Sequence, residues 1–184
     1  MVPETIVPEL TAEAFEEIAL LPENRDKRLE FREGRIVEVV SSFPSSNVAA
    51  LVLTFVTLFV IQHDLGRVTG ADGGYVVGNN RYIPDGAYIS KARQPKKPHT
   101  AYTPLAPDLV IEVLSPTDKN DEIRLKIVNY LRAGTTVWLF DPEDEHVEVY
   151  PPGKPPLRLS KNDTLDGGDV LPGFKLPLKD VFRD

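Results

Sequence analysis

One carboxylate inside an apolar run constrains this chain more than any other feature. Within residues 106–116, Glu112 is surrounded by Leu109, Val110, Ile111, Val113 and Leu114, and Pro107 and Pro116 bracket the run. Its length, its β-branched residues and the flanking breakers favour a short strand covered on both faces over a helix. Alternation sends Val110, Glu112 and Leu114 to one face and Leu109, Ile111 and Val113 to the other. A carboxylate in such a strand is costly unless a cation, a metal or hydrogen bonds meet it. The rest of the chain must supply that partner.

The surrounding pattern predicts one α/β domain over residues 1–184, with a mixed central sheet flanked by helices. Residues 1–10 read as a loose arm. A short amphipathic helix follows, capped by Thr11, and the arm and helix together occupy residues 1–28. Alternation around Glu33-Gly34 predicts a hairpin, with Gly34 taking the positive backbone angle. A polar turn over residues 41–47 leads into a buried apolar helix that stops near Gly66. Two strands, residues 67–77 and 81–89, are joined at Gly78-Asn79-Asn80. Beyond the central strand come a helix over 118–133 ended by Gly134, strands over 136–140 and 146–150, and a short edge strand over 157–159. The apolar tail is expected to wrap back over the sheet.

The 184 residues contain no cysteine, so disulfides and thiolate metal sites are excluded. His63, His99 and His146 lie far apart without metal-ligand spacing, which leaves a hard cation held by oxygens as the expected metal. A net charge of −7 argues against a protein that coats nucleic acid, though not against a local basic patch. The N-terminus lacks the basic-then-apolar order of a signal peptide, and the apolar run at residues 48–61 is too short to span a bilayer. A soluble, cytoplasmic protein is expected, and the apolar helix and hairpin edge make a homodimer plausible.

Asp85 is a second carboxylate among apolar strand neighbours, Ile83, Ala87 and Ile89. If its strand pairs with or flanks that of Glu112, the two can converge on one divalent cation, because adjacent strands lie about 4.8 Å apart. Asp108 shares the face of Glu112 but lies four residues away, roughly 13 Å along a strand, and is better placed to end the strand or cap a turn. On the following helix Lys126 falls at the edge of the apolar face, four residues before Tyr130, where its stem can lie on the core and its ammonium reach the cleft. The competing account pairs Lys126 with Glu122 at the surface. Lys119, in the turn before the helix, is a weaker candidate. The loop over residues 90–106, with Lys91, Arg93, Lys96 and Lys97, is either solvated or in contact with phosphate.

Pro84-Asp85, Glu112 with Ser115-Pro116-Thr117-Asp118, Lys126 with Tyr130, Gly134, and Trp138 through Asp141-Pro142 together resemble the Uma-type branch of bacterial endonucleases. That branch belongs to the PD-(D/E)XK, or restriction-endonuclease-like, superfamily. The closing Leu171-Pro172-Gly173-Phe174 and Val181-Phe182 resemble the same family, so the likeness runs over residues 29–184. The resemblance implies a restriction-endonuclease-like core and a Mg²⁺-dependent (or Mn²⁺-dependent) site that cleaves phosphodiesters in DNA, RNA remaining open. Asp85 and Glu112 would ligate the metal with the Val113 carbonyl, and Lys126 would act beside them. Two departures stand out. Leu114 occupies the position where the superfamily has its lysine, and no acid lies in the apolar helix. Glu30 and Glu38 on the hairpin, or Asn47 at the helix start, are substitutes, although exposed strand positions and a helix cap are the expected roles.

Three readings follow. The leading one is a metal-dependent endonuclease. The second is an inactive domain of the same fold that binds nucleic acid or itself. The third is a purely structural Glu112–Lys126 pair, sealed from water, with Asp85 directed elsewhere.

Overall fold

The computed structural model describes residues 10–183, so nearly all of the arm expected over residues 1–10 lies outside them. Helix α1 (Ala12–Ala19) starts where the Thr11 side chain accepts from the Ala14 amide, and it buries Phe15 against Phe31 and Tyr102. Strands β1 (Leu29–Arg32) and β2 (Arg35–Glu38) form the expected hairpin. Both turn residues have positive φ, 46° at Glu33 and 80° at Gly34, so the glycine does not carry the turn alone. The Asn80 side chain clamps the strained glutamate by accepting from its amide at 2.9 Å.

Helix α2 (Phe43–Gln62) begins earlier than the sequence suggested. Ser42 caps it by accepting from the Ser45 amide, and Pro44 sits in the first turn, where a missing N–H costs nothing. The polar segment is therefore mostly helix, and Asn47 is exposed inside it rather than capping it. At 20 residues α2 is long and apolar enough to cross a membrane, by length and composition alone, unlike the shorter run expected over residues 48–61. Here Val48, Val52, Val56 and Val60 pack on the sheet, while Phe43, Leu58 and Ile61 face outward. The helix is half-buried, not buried throughout.

The two strands expected over residues 67–89 are four: β3 (Gly66–Gly70), β4 (Gly74–Val77), β5 (Asn80–Tyr82) and β6 (Gly86–Ser90). The break at Pro84-Asp85 follows from proline's missing ladder donor. Next come β7 (Tyr102–Thr103), β8 (Leu109–Val113), α3 (Asn120–Arg132), β9 (Thr136–Asp141), β10 (His146–Tyr150), β11 (Leu157–Ser160), β12 (Thr164–Asp166) and β13 (Lys175–Pro177). Gly134, at φ 80°, ends the α3 segment as expected.

The single mixed sheet divides into two larger sheets and a small one. One is five-stranded in the order β2-β1-β5-β4-β7, the other six-stranded in the order β11-β10-β9-β8-β6-β3, and β12 pairs with β13. Strands β8 and β9 run parallel and are joined through α3, while the other pairings of the six-stranded sheet are antiparallel. The alternation read for β8 holds. Leu109, Ile111 and Val113 pack under α2 and under the C-terminal segment, through Leu171, Phe174 and Phe182. Val110 faces Ile127 and Tyr130 of α3 together with Tyr75 and Tyr82 of the other sheet. Helix α3 is thus wedged where the two sheets meet, and Glu112 faces that seam.

Candidate active site

Asp85 lies in the gap between β5 and β6, just outside a strand, where the chain passes from one sheet to the other. The β6–β8 register ends at Gly86 opposite Ile111, so one further residue brings Asp85 beside Glu112. Its Oδ2 accepts from the Val113 amide at 2.9 Å and extends the pairing where the ladder stops. Asp108 is at the other end of the strand. It accepts from the Ser90 amide at 2.7 Å and pairs with Arg93 at 3.1 Å.

The partner of Glu112 is Lys126. The ammonium stands 2.8 Å from Glu112 Oε1, and the Tyr130 hydroxyl donates to the same oxygen at 2.9 Å. Lys126 and Tyr130 are one helical turn apart, which is why both reach one carboxylate. The ammonium also lies 3.3 Å from Glu30 Oε1 and 5.4 Å from the Tyr82 ring centroid. Glu30 is fully buried and accepts from the Ile83 amide at 2.7 Å and from Arg32 Nε at 2.5 Å. Arg32 continues to Glu122 at 3.0 Å. The result is a chain of alternating charges across the seam, Glu112–Lys126–Glu30–Arg32–Glu122, with Glu30 at its centre.

Burial, reinforced by Asp85 and Glu30, pushes Glu112 up to about 7, against the opposing pull of Lys126. Burial alone would lower the lysine, but Glu112 and Glu30 together overcome it and hold the ammonium well above its usual range. The lysine keeps its proton, and Glu112 is the member that titrates near neutrality. Asp85 is also raised, by burial first, with the Val113 amide and Lys126 acting against that. Burial and then Glu112 raise the Tyr130 phenol, so it stays a donor.

Asp85, Glu112, Val113 and Lys126 line one cavity of about 30 Å³, bordered by Arg32, Val40, Ser41 and Asp118. That is room for an ion or a water, not for an organic ligand. Glu112 Oε2 and Asp85 Oδ1 accept no hydrogen bond from the described residues. No buried side-chain oxygen there lacks a partner, so these two reach solvent. Two carboxylate oxygens turned to a small wet cavity suit a hard divalent cation.

The model of the Uma2 family, described as putative restriction endonuclease, matches residues 12–179. The chain belongs to the Uma2 family. Its fold is similar to a solved structure of a putative nuclease belonging to DUF820 from Anabaena variabilis. The TM-score is 0.82 at 23% identity, covering 94% of this chain and 97% of that one. No curated protein matches the sequence. The Uma2 chain is accordingly nuclease-like, with mixed sheets flanked by helices in a single domain.

Several expectations are corrected in this Uma2 chain. Glu30, expected to be exposed, is the buried acid that joins the site, and no local pattern signals it, because β1 becomes interior only when β5 pairs with it. Glu38 is exposed, as is Asn47. Lys126 does not pair with Glu122, which instead takes Arg32 and, at 3.1 Å, the exposed Lys119. The basic loop after Ser90 adjoins the Asp108 end of β8, roughly four residues or 13 Å from Glu112, and does not line the cavity. Leu114 presents its carbonyl to Ser45 Oγ at 2.7 Å, tying α2 to the segment after Glu112. His146, read as isolated, has a ligand atom within 4.8 Å of those of Asp141 and Asp144. Arg158 Nη2 is 3.3 Å from its Nδ1, and Asp141 Oδ1 is taken by the Glu143 and Asp144 amides, as in an ordinary turn.

Proposed function

We propose that this Uma2 chain is a divalent-metal-dependent endonuclease that hydrolyses phosphodiester bonds in DNA. The observation that carries the proposal is the convergence of Asp85, Glu112 and Lys126 on one solvent-reaching cavity, in a chain of the nuclease-like Uma2 family. In this reading Asp85 and Glu112, with the Val113 carbonyl, hold Mg²⁺ or Mn²⁺. When bound, the ion supplies positive charge to the scissile phosphate and lowers the pKa of an attacking water. Lys126 supplies a fixed positive charge to the phosphoryl oxygens as their charge grows. Glu30 and Tyr130 are positioning residues. The first steadies the ammonium from the side away from Glu112. The second occupies Oε1, together with Lys126, and so leaves Oε2 to the metal.

Calorimetric titration with Mg²⁺ and Mn²⁺ tests the metal site, and heats that vanish in Glu112→Gln are expected. Equal heats in both proteins would sink the assignment. With Mn²⁺ present, supercoiled DNA should be nicked by the parent and not by Asp85→Asn or Lys126→Ala. Undiminished nicking by both variants would place the chemistry elsewhere. Metal binding without cleavage of DNA or RNA would leave a binding domain of the same fold.

A further inference from the structure

Glu30 marks the face of β1 that looks into the seam, and alternation puts Arg28 on that same face, two residues or roughly 7 Å earlier. The Arg28 carbonyl accepts from the Val39 amide at 2.8 Å, so the β1–β2 hairpin carries one rung beyond the Leu29–Glu38 pair. Val39 itself lines the metal-sized cavity. Along its other edge β1 meets β5 with Phe31 opposite Arg81. Continuing that antiparallel register sets Arg28 opposite Pro84, next to Asp85. Burial raises the Asp85 carboxyl, and Arg28 acts against that, after the Val113 amide and Lys126.

The other cations beside the site are committed, Arg32 to Glu30 and Glu122, Lys119 to Glu122, and Lys126 to Glu112 and Glu30. Arg28 is half-buried, and among the described residues its guanidinium has no ion-pair or hydrogen-bond partner. No buried side-chain nitrogen lacks a partner, so the guanidinium reaches solvent. Its planar fork suits a phosphate. The surroundings alone do not, because Asp85, Glu112 and Asp118 border the cavity, and Asp141 and Glu143 border the adjoining groove. That charge repels an anion until a divalent cation offsets it.

We infer that Arg28 is the phosphate-binding residue of this site, and that it takes a phosphate only once the metal is in place. The inference rests on the metal-dependent reading proposed above, and phosphate binding can be measured without cleavage. By linkage, phosphate tightens metal binding by the same factor as metal tightens phosphate binding.

The test is calorimetric titration with thymidine 5′-monophosphate, with thymidine as the control for base contacts. The metal-free protein should bind neither, and the Mg²⁺-loaded protein should bind the monophosphate alone. Arg28→Gln should weaken that binding roughly ten- to a hundredfold, the loss of a charge-assisted pair, while binding Mg²⁺ alone no more weakly than the parent. Its urea midpoint should match the parent's, since the side chain holds no described partner. A second measurement needs no variant: Mg²⁺ with the monophosphate should shield Arg28 from phenylglyoxal, read by peptide mass spectrometry. Equal monophosphate affinity in Arg28→Gln, no binding by the Mg²⁺-loaded parent, or no shielding overturns the assignment. So does an Arg28→Gln variant that loses Mg²⁺ itself, because Arg28 would then serve only to hold Asp85. Equal monophosphate affinity with and without Mg²⁺ overturns the order of binding. Arg28-dependent binding with DNA and RNA left uncut would remove the nuclease reading and leave the phosphate site standing.

Discussion

Replacing Lys126 by methionine keeps most of the side chain's length and apolar stem while deleting its charge. Its ammonium lies 2.8 Å from Glu112 and 3.3 Å from Glu30, and all three groups are buried. Removing one partner of a buried ion pair costs about 3–5 kcal/mol, because the remaining charge stays desolvated. Two carboxylates lose their shared counter-charge here, although Arg32 still meets Glu30 and Tyr130 still meets Glu112, so a loss of about 4 kcal/mol is expected at pH 8. At pH 5 Glu112, already raised to about 7 with the lysine present, is protonated and needs no cation. The loss should then shrink to about 1–2 kcal/mol, the value of a neutral buried hydrogen bond. Urea unfolding at both pH values reads these differences directly. Mn²⁺ at a hundred times its Kd adds about 2.7 kcal/mol by mass action, and it should stabilise Lys126→Met at least as strongly as the parent, since the competing ammonium is gone. A loss below about 1 kcal/mol at pH 8, or one that ignores pH, would refute the buried-charge account of the seam.

Three further outcomes are expected. Glu30→Gln keeps an acceptor for the Ile83 amide but removes the charge opposite Lys126, so cleavage should slow about tenfold or more in kcat while Mn²⁺ affinity, read by calorimetry, changes little. Tyr130→Phe deletes the donor to Glu112 Oε1 and should cost about 1–2 kcal/mol in thermal or urea unfolding. Because Glu112 titrates near 7 in the fold and at 4.5 in the unfolded chain, the native state holds the extra proton between those values. The stability contributed by that proton is fully present below 4.5 and is lost as pH rises through about 7, while divalent-metal affinity moves oppositely and weakens about tenfold per unit below 7; titrations from pH 5.5 to 8 measure both.

The parts of this fold legible in the sequence are those fixed by local pattern. Thr11, the Glu33-Gly34 turn, the two faces of β8 and the Gly134 stop each follow from neighbours within a few residues. The reach of Lys126 was legible too, because the four-residue spacing to Tyr130 fixes which way the side chain leans. What was not legible depends on pairing between distant segments. Residues 67–89 read as two long strands because alternation continues across Pro84-Asp85, and only the division into two sheets reveals the break. Glu30 looked like a surface residue of a hairpin, since nothing within β1 tells that β5 will cover its second edge and α3 its face. The length of α2 was underread because Ser and Pro at its start resemble a turn, although in the first helical turn neither costs a hydrogen bond.

The amide of Val113 and the carboxylate of Asp85 hold the margin between two sheets together where the regular ladder has run out. Asp85 is therefore a rung as well as a proposed metal ligand, and its two duties use different oxygens. Alanine at this position would remove both at once, so a dead variant could be dead through an unzipped margin. Asparagine keeps an oxygen for the rung and takes away the negative charge that a cation needs. The chemistry and the architecture of the seam can thus be separated by the choice of one amide over one methyl group.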